Sequence, residues 1–294
     1  CMDAYIEWKK AGLPREEYLK AVSKIPGVYV PSFYDVTYND DGTVRAITPI
    51  NDDVPKTVKK RVIEDLDKVY FPDKVVVPFT EIVHDRIMLE VFRGCIRGCR
   101  FCQAGQIYRP VREKSAKTLL ECAKKLIDST GYEEITLSSL STSDYRELKE
   151  LTDGLLKLTE DKRVSLSLPS LRLDSFSIEL MDKVSKVRKS SLTFAPEAGT
   201  QRMRDVINKG ITEEDLMSST KMAFEGGYNS IKLYFMIGLP FETVEDVCGI
   251  GDLAKKVDDN YFTVPKDVRA PGLRITLSVS SFVPKAFTPF QWAR

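Results

Sequence analysis

The amino-acid sequence predicts an α/β protein, a partial (βα)6 barrel of the TIM-like type preceded by a small α+β connector region. From residue 86 onward, short β-branched apolar runs alternate with amphipathic helical stretches, a pattern typical of parallel strands joined by crossover helices. The six runs are too few to close an eight-stranded barrel, so we expect an open one. Its active site should lie at the carboxyl ends of the strands, where the βα loops converge.

Length and composition indicate a globular chain without a strong electrostatic preference. The 294 residues are 43% hydrophobic, and 44 Lys and Arg against 43 Asp and Glu leave a net charge of +1. This balance argues against a general nucleic-acid or anionic-membrane binder and leaves only local basic patches. No apolar run approaches the ~20 residues that span a bilayer, and the N-terminus lacks the pattern of a secretion signal. We therefore expect a cytoplasmic protein with no membrane partner.

Residues 1–80 are predicted to form an N-terminal helical and hairpin connector region. Two short helices within residues 3–24 are separated by Gly-Leu-Pro at residues 12–14, where a helix ends readily. A hairpin should follow around the Asn-Asp-Asp-Gly turn at residues 39–42. A polar helix is expected around residues 57–70.

The barrel is assigned to residues 81–283, and residues 284–294 to the start of a C-terminal extension. Six strands are predicted, at residues 86–91, 134–138, 163–168, 191–194, 230–237 and 274–280. Crossover helices are predicted between them, at residues 116–129, 145–158, 178–184, 213–224 and 244–257.

The cysteines are distributed unevenly, which indicates a metal site rather than a disulfide framework. Cys95, Cys99 and Cys102 stand together directly after the first barrel strand, whereas the other three are scattered. Cys122 and Cys248 lie in helical patterns and are expected to be buried thiols that pack as small hydrophobes.

Three thiolates at spacings of four and three residues, on a loop with two glycines, can reach three irons of a cubane cluster. Ordinary electron-transfer clusters use four cysteines, and no fourth lies nearby in the sequence. One iron would then keep an open coordination position, as a catalytic zinc does. The alternative is a zinc site made of the same cysteines and His84, although His84 lies before the strand whose far end carries the thiols.

The C-x3-C-x2-C spacing, with Phe101 just before the last cysteine and the whole motif after the first strand of a βα series, resembles the signature loop of the radical S-adenosylmethionine superfamily. The resemblance implies that Cys95, Cys99 and Cys102 hold a 4Fe-4S cluster whose open iron chelates S-adenosylmethionine. An electron from the cluster would cleave this cofactor to methionine and a 5'-deoxyadenosyl radical, which abstracts hydrogen from an unreactive C–H bond. An external donor of the flavodoxin or ferredoxin type would supply the electron.

Two charged residues after the fourth strand resemble the positions that contact the methionine part of the cofactor in the coproporphyrinogen-oxidase-like and methylthiotransferase-like branches. They are Glu197 and Lys209, which stand twelve residues apart. A carboxylate can accept from the ammonium of the cofactor, and a lysine can face its carboxylate. The alternative is a solvated helix face.

Four further positions are candidates for the cofactor pocket. In Gly-Leu-Pro-Phe-Glu-Thr after the fifth strand, the resemblance places the backbone of Ile237 and Gly238 against adenine, although turn chemistry alone explains much of this motif. Ser138 and Ser139 after the second strand could receive the methionine ammonium, or could simply cap the strand end.

Arg172 at the end of the third strand could bind a cofactor or substrate carboxylate bidentately, or form an ordinary surface pair. Where a ribose-binding aspartate is common in the family, this chain has Tyr234.

Arginines crowd around the cysteine loop, with Tyr108 among them. They are Arg93, Arg97, Arg100, Arg109 and Arg112. Such a rim suits an anionic substrate, with RNA as one candidate. The preferred explanation is that these cations compensate the negative thiolate cluster and supply its outer hydrogen bonds.

The sequences of residues 83–86, 105–110 and 282–285 resemble those of an uncharacterised branch of this superfamily. Members of that branch carry an upstream cobalamin-binding-like domain and often a further C-terminal region. The resemblance implies an enzyme whose substrate is unknown and whose reaction is methylation, sulfur insertion or RNA modification, with cobalamin supplied by a domain absent from this chain. We also expect the chain to be an excised core that needs neighbouring domains. The alternative is a non-catalytic, zinc-stabilised binding module.

Overall fold

The computed structural model describes residues 1–162, 164–168 and 192–293. The chain forms two compact units, one comprising Cys1–Glu64 and the other beginning at Asp65. The predicted helix at residues 178–184, the candidate Arg172 and the first residues of two predicted strands lie outside the described residues.

The described helices and strands are numbered in chain order. The helices are α1 (Met2–Ala11), α2 (Arg15–Ser23), α3 (Gln103–Ile107), α4 (Ala116–Thr130), α5 (Leu148–Thr159), α6 (Gln201–Val206), α7 (Glu213–Glu225) and α8 (Val244–Thr263). The strands are β1 (Tyr34–Tyr38), β2 (Val44–Pro49), β3 (Ile87–Glu90), β4 (Phe92–Arg93), β5 (Arg112–Glu113), β6 (Glu134–Ser138), β7 (Ser165–Ser167), β8 (Leu192–Glu197), β9 (Ser230–Ile237) and β10 (Arg274–Ser281).

The smaller unit contains the two predicted helices and the predicted hairpin. Gly12 ends α1 in the left-handed conformation, with φ of 64°, which glycine adopts without strain. Strands β1 and β2 pair antiparallel across the turn. The unit has a small apolar core of its own, to which Val22, Val30 and Phe33 contribute.

The predicted helix at residues 57–70 is wrong, because no helix forms there. The Asp65 carboxylate accepts from the backbone amide of Asp67 at 3.0 Å, which replaces the bond that a helix would need. Leu66 is buried, and the Asp67 carboxylate accepts from the backbone of Ser115 at the start of α4. Residues 65–70 are therefore held by tertiary contacts within the larger unit.

The larger unit has an α/β fold in which the six predicted barrel strands form two open, parallel, three-stranded sheets. Their orders are β3-β6-β7 and β10-β9-β8. This confirms the predicted fold class and the parallel arrangement. Four of the predicted crossover helices correspond to α4, α5, α7 and α8.

Each sheet packs one face against helices. In the first sheet, Leu89 and Leu137 are fully buried in a core shared with α4 and α5, and in the second Leu233 and Phe235 pack against α7 and α8. Burying each such side chain contributes about 1.5–3 kcal/mol. Because side chains alternate along a strand, the polar residues between them lie on the opposite face of each sheet.

Residues 282–293 pack against this unit. Phe290 is buried in an apolar cluster with Met203, Ile207 and Leu239, and the Gln103 side chain donates to the Ala286 carbonyl at 3.1 Å. Among the described residues, none of the helices combines the length and the hydropathy that crossing a bilayer requires.

Candidate functional site

The cysteine loop, residues 94–111, is closed at its base by the antiparallel pairing of β4 with β5. Gly94 begins the loop with φ of 88°. A Cβ atom here would lie 2.8 Å from the carbonyl oxygens of Tyr108 and Pro110. Only glycine therefore allows the two ends of the loop to approach so closely.

The thiols are partly buried and two of them already accept hydrogen bonds. The backbone N–H of Arg97 donates to Cys95 Sγ at 3.4 Å, and that of Gly105 donates to Cys102 Sγ at 3.3 Å. Cys102 is the N-cap of α3, so the helix starts at the last cysteine of the motif. Such backbone donors would also hydrogen-bond to the sulfurs that ligate a cluster, and such bonds tune a cluster's properties.

The donor set of the loop fits a cubane cluster better than a zinc ion. Zinc needs four ligands around one point at about 2.0–2.3 Å, but within the described ranges no three His, Cys, Asp or Glu side chains could hold a single ion. A cubane takes each thiolate on a different iron, so its ligands need not converge. His84 is exposed and takes no part in such a group. The zinc alternative thus finds no support.

Cys122 and Cys248, two of the three remaining cysteines, have other surroundings. Cys122 packs partly buried against the core of the first sheet, and burial raises the pKa of its thiol. Cys248 is exposed on α8, so the expectation of burial was wrong there, because its helical position faces away from the sheet.

The cysteine loop is bonded directly to the segment that follows α6. The backbone N–H of Arg100 donates to the Ile207 carbonyl at 2.9 Å, and the Asn208 side chain donates to the Gly98 carbonyl at 2.9 Å. Phe101, partly buried, packs on the apolar cluster that contains Ile207. The cysteine loop and the loop after β8 are therefore joined by hydrogen bonds and apolar packing.

Glu197 and Lys209 are brought together by that same segment. Lys209 Nζ lies 2.9 Å from Glu197 Oε1, and the two side chains are only 12% and 16% exposed, respectively. Glu197 ends β8 beside a register irregularity and has φ of 70°, a strained backbone that costs about 1–3 kcal/mol. The pair is thus a largely buried ion pair, which differs from a solvated helix face.

A buried aspartate joins the loop after β8 to the turn after β9. Asp246 accepts hydrogen bonds from Thr200, from Arg202 and from the backbone and hydroxyl of Thr243. Burial opposes its ionisation, but the bonds from Arg202, Thr200 and Thr243 outweigh burial and hold the pKa of the Asp246 carboxyl below its usual range. Sequence reasoning missed this residue, whose only local signal is its place three residues after the N-cap Thr243 of α8.

The turn after β9 satisfies its own backbone groups. Gly238 has φ of 77° and donates its N–H to Glu242 Oε2 at 2.5 Å. The Ile237 carbonyl accepts from the Phe282 backbone at 2.8 Å. Any contact of this turn with adenine would therefore be a packing contact, and that role stays a prediction.

The two candidate serines lie at the end of β6 and at the start of the loop after it. The Ser138 carbonyl accepts from the Val91 backbone at 3.0 Å, and the Ser139 hydroxyl lies 2.9 Å from that of Thr142. Beside them, the hydroxyl of Ser141 is buried and has no hydrogen-bond partner among the described residues. Sequence reasoning did not single out Ser141.

The five rim arginines are engaged by the protein itself. Arg93 donates to Glu90 at 2.7 and 2.9 Å, and Arg97 forms an ion pair with Asp144 of the loop after β6. Arg100, Arg109 and Arg112 donate to backbone carbonyls of residues 97, 108, 110, 205 and 206. These bonds fix the loop, which favours the structural explanation of the rim over RNA binding.

Replacing Asp246 by asparagine should destabilise the chain by about 2–4 kcal/mol at pH 7, because four donors would lose their charged acceptor. The folded pKa of this carboxyl is depressed, so its contribution is complete above the unfolded pKa of about 3.9 and is lost as the pH falls below it. Urea unfolding of the iron-free chain from pH 7 downward should show the two proteins converging in acid. Asp252→Asn, an exposed position on the same helix, is the control, and a pH-independent difference would contradict the assignment.

Comparison with known proteins gives a consistent result. A model of the radical SAM superfamily matches residues 89–254. An uncharacterized protein of Methanocaldococcus jannaschii is 35% identical over 69% of this chain and 42% of its own length. An uncharacterized methyltransferase of Pyrococcus horikoshii is 25% identical over 94% of this chain and 57% of its length. The chain thus spans about half the length of these curated relatives.

Solved structures include one with the same fold. The cobalamin-dependent S-adenosylmethionine radical enzyme OxsB superposes with a TM-score of 0.54 at 11% identity, over 87% of this chain and 40% of that chain.

Proposed function

The chain belongs to the radical S-adenosylmethionine superfamily, and we propose that Cys95, Cys99 and Cys102 ligate the 4Fe-4S cluster that this family uses. The bound cluster supplies the electron that cleaves S-adenosylmethionine to methionine and a 5'-deoxyadenosyl radical. The observation that carries the proposal is the hydrogen bond from Asn208 to Gly98, because it fastens the Glu197–Lys209 pair to the cysteine loop at the carboxyl ends of the strands.

The ion pair suits the methionine part of the cofactor, which is a zwitterion. We propose that Glu197 accepts from its ammonium and that Lys209 donates to its carboxylate. The two side chains hold each other in place at 2.9 Å, so they are positioned before the ligand arrives. A largely buried setting strengthens such bonds, because it weakens competition from water.

The other candidates would complete the pocket. Ile237 and Gly238 would pack against adenine, Phe101 would contact the cofactor beside the cysteine loop, and Ser138 or Ser139 would receive part of the ammonium. The long similarity to a methyltransferase supports methylation as the reaction, with cobalamin supplied by a domain outside this chain. We also propose that a reductant of the flavodoxin or ferredoxin type supplies the electron. The proposed location is a reducing, cytoplasmic compartment.

Glu197→Ala and Lys209→Ala test the proposal. Each should weaken S-adenosylmethionine binding by about 1–3 kcal/mol, roughly 5- to 150-fold, because a charged hydrogen bond in a largely buried site is lost. The measurement is isothermal titration of the anaerobically reconstituted chain, followed by quantification of 5'-deoxyadenosine after addition of dithionite. Iron content should be unchanged in both variants.

The matched control is an exposed ion pair on the same unit. Glu213 and Lys256 lie 2.6 Å apart with side chains 42% and 52% exposed, and their alanine variants should bind the cofactor normally. Unchanged affinity in both Glu197→Ala and Lys209→Ala would refute the binding role. An unsubstituted chain that takes up iron but forms no 5'-deoxyadenosine would refute the proposed activity.

A further inference from the structure

One face of the sheet β8-β9-β10 is not covered by the helices that pack on its other side. The register places Thr193, Lys232 and Thr276 side by side, one from each strand. Side chains directly opposite each other on parallel strands point to the same face. Their neighbours Phe194 and Leu233 are buried against the helices, so this row faces the opposite side. We call these three residues the Lys232 row.

Lys232 is partly buried as a residue and has no counter-ion among the described residues. Its Nζ lies 4.7 Å from the centre of the Tyr234 ring, and within the described residues it is paired with no carboxylate. Lys209, by contrast, is a partly buried cation that has Glu197 as its partner. Partial burial of an ammonium is unfavourable unless an anion compensates it.

The two threonines complete a set of donors around that ammonium. Thr193 and Thr276 are exposed, and neighbouring strands are about 4.8 Å apart. A row of hydroxyl, ammonium and hydroxyl offers donors to several oxygens of one oxyanion at once. Carboxylate and phosphate groups have several oxygens that accept hydrogen bonds from such donors.

We propose that the Lys232 row binds a phosphate or carboxylate group of the substrate, an inference that rests on the proposed function and names its substrate class. Tyr234, 39% exposed on the same face, would cover the adjoining part of the substrate. Gly238 lies four positions after Tyr234, just past the strand end, which is about 13 Å along the strand. A substrate that spans from this row to the cofactor loops would direct its anionic end away from those loops.

The single ammonium of the Lys232 row favours a substrate with one phosphate or carboxylate group over a polynucleotide. Nucleic-acid sites depend on several unpaired Lys and Arg side chains along the backbone, whereas the rim arginines are engaged by the protein and the net charge is only +1. The Lys232 row offers one ammonium, which matches one terminal oxyanion.

The test is equilibrium dialysis of the reconstituted chain against inorganic phosphate at constant ionic strength. We expect one phosphate per chain with a Kd of about 1 mM or below. Lys232→Met should weaken binding roughly ten- to 100-fold, because the charged donor is lost, whereas Lys232→Arg should retain it. Competition with acetate separates a carboxylate from a phosphate substrate, since the preferred anion displaces the other.

Lys221→Met, which removes an exposed lysine from α7, is the matched control and should leave iron content, cofactor cleavage and phosphate binding unchanged. Lys232→Met should match it in iron content and unfolding midpoint, so that a loss of binding is not a loss of folding. Equal phosphate binding in Lys232→Met, no saturable binding in the unsubstituted chain, or tighter Lys232-dependent binding of a single-stranded oligonucleotide would each overturn the inference. Failure of the unsubstituted chain to cleave S-adenosylmethionine would instead count against the proposed function, since phosphate binding is measured separately.

Discussion

Replacement of Cys95, Cys99 or Cys102 by alanine is expected to abolish assembly of the 4Fe-4S cluster. Each thiolate would hold a different iron and one iron would have no protein ligand, so each variant would leave two irons without one. The loss should be nearly complete in iron content, in the brown absorbance of the reconstituted protein and in 5'-deoxyadenosine formation. Partial compensation is not expected, since Cys122 lies on α4 in the core of the first sheet and Cys248 is exposed on α8.

These two distant cysteines provide the control for that experiment. Cys122→Ala and Cys248→Ala should bind the same amount of iron as the unsubstituted chain. A full cluster in any variant of the three loop cysteines would refute the ligand assignment. A colourless chain that binds one zinc ion would revive the alternative of a metal-stabilised binding module.

The second large effect is expected at Gly199, where the loop after β8 crosses α8. A Cβ atom at Gly199 would lie 2.3 Å from the backbone nitrogen of Ile250 and 2.6 Å from the backbone oxygen of Asp246. Both atoms belong to the helix backbone and cannot rotate away, so Gly199→Ala forces the loop and the helix apart. We expect a loss of about 3 kcal/mol or more in the free energy of unfolding, measured by urea denaturation.

Gly199→Ala should also weaken cofactor binding, because Glu197 is only two residues from Gly199. The residue that follows Gly199, Thr200, is hydrogen-bonded to Asp246. Gly251→Ala is the control on the same helix. A Cβ atom there meets nothing within 4 Å, and alanine favours a helix over glycine by about 1 kcal/mol. Normal stability of Gly199→Ala would show that the loop and helix can separate more easily than their geometry indicates.

The loops of the site are linked to one another rather than to the strands alone. Asn208 joins the loop after β8 to the cysteine loop, Asp246 joins it to the turn after β9, and the Arg97–Asp144 pair joins the cysteine loop to the loop after β6. These contacts connect four segments in series: the turn after β9, the loop after β8, the cysteine loop and the loop after β6. A change in one of them is expected to move the others, which is why the predicted effects on stability and cofactor binding coincide at Gly199.

Local sequence patterns determined most of the helices and strands, and they predicted the cluster ligands. Apolar β-branched runs such as residues 230–237 specify a strand through side-chain alternation and burial, and β9 occupies those same residues. The spacing of the three cysteines is enough by itself to predict a cluster site. Where local signals were weak, as in residues 57–70, tertiary contacts of Leu66 and Asp67 prevailed over helix propensity.

The tertiary structure alone decided which side chains meet. Glu197 and Lys209 were predicted as separate cofactor contacts, and only the return of the chain after α6 places them 2.9 Å apart. The role of Asp246, the engagement of the rim arginines and the row of Thr193, Lys232 and Thr276 depend on contacts between residues distant in the chain. Sequence periodicity reports the face on which a residue lies, whereas its partners are set by how strands and loops from different parts of the chain are packed together.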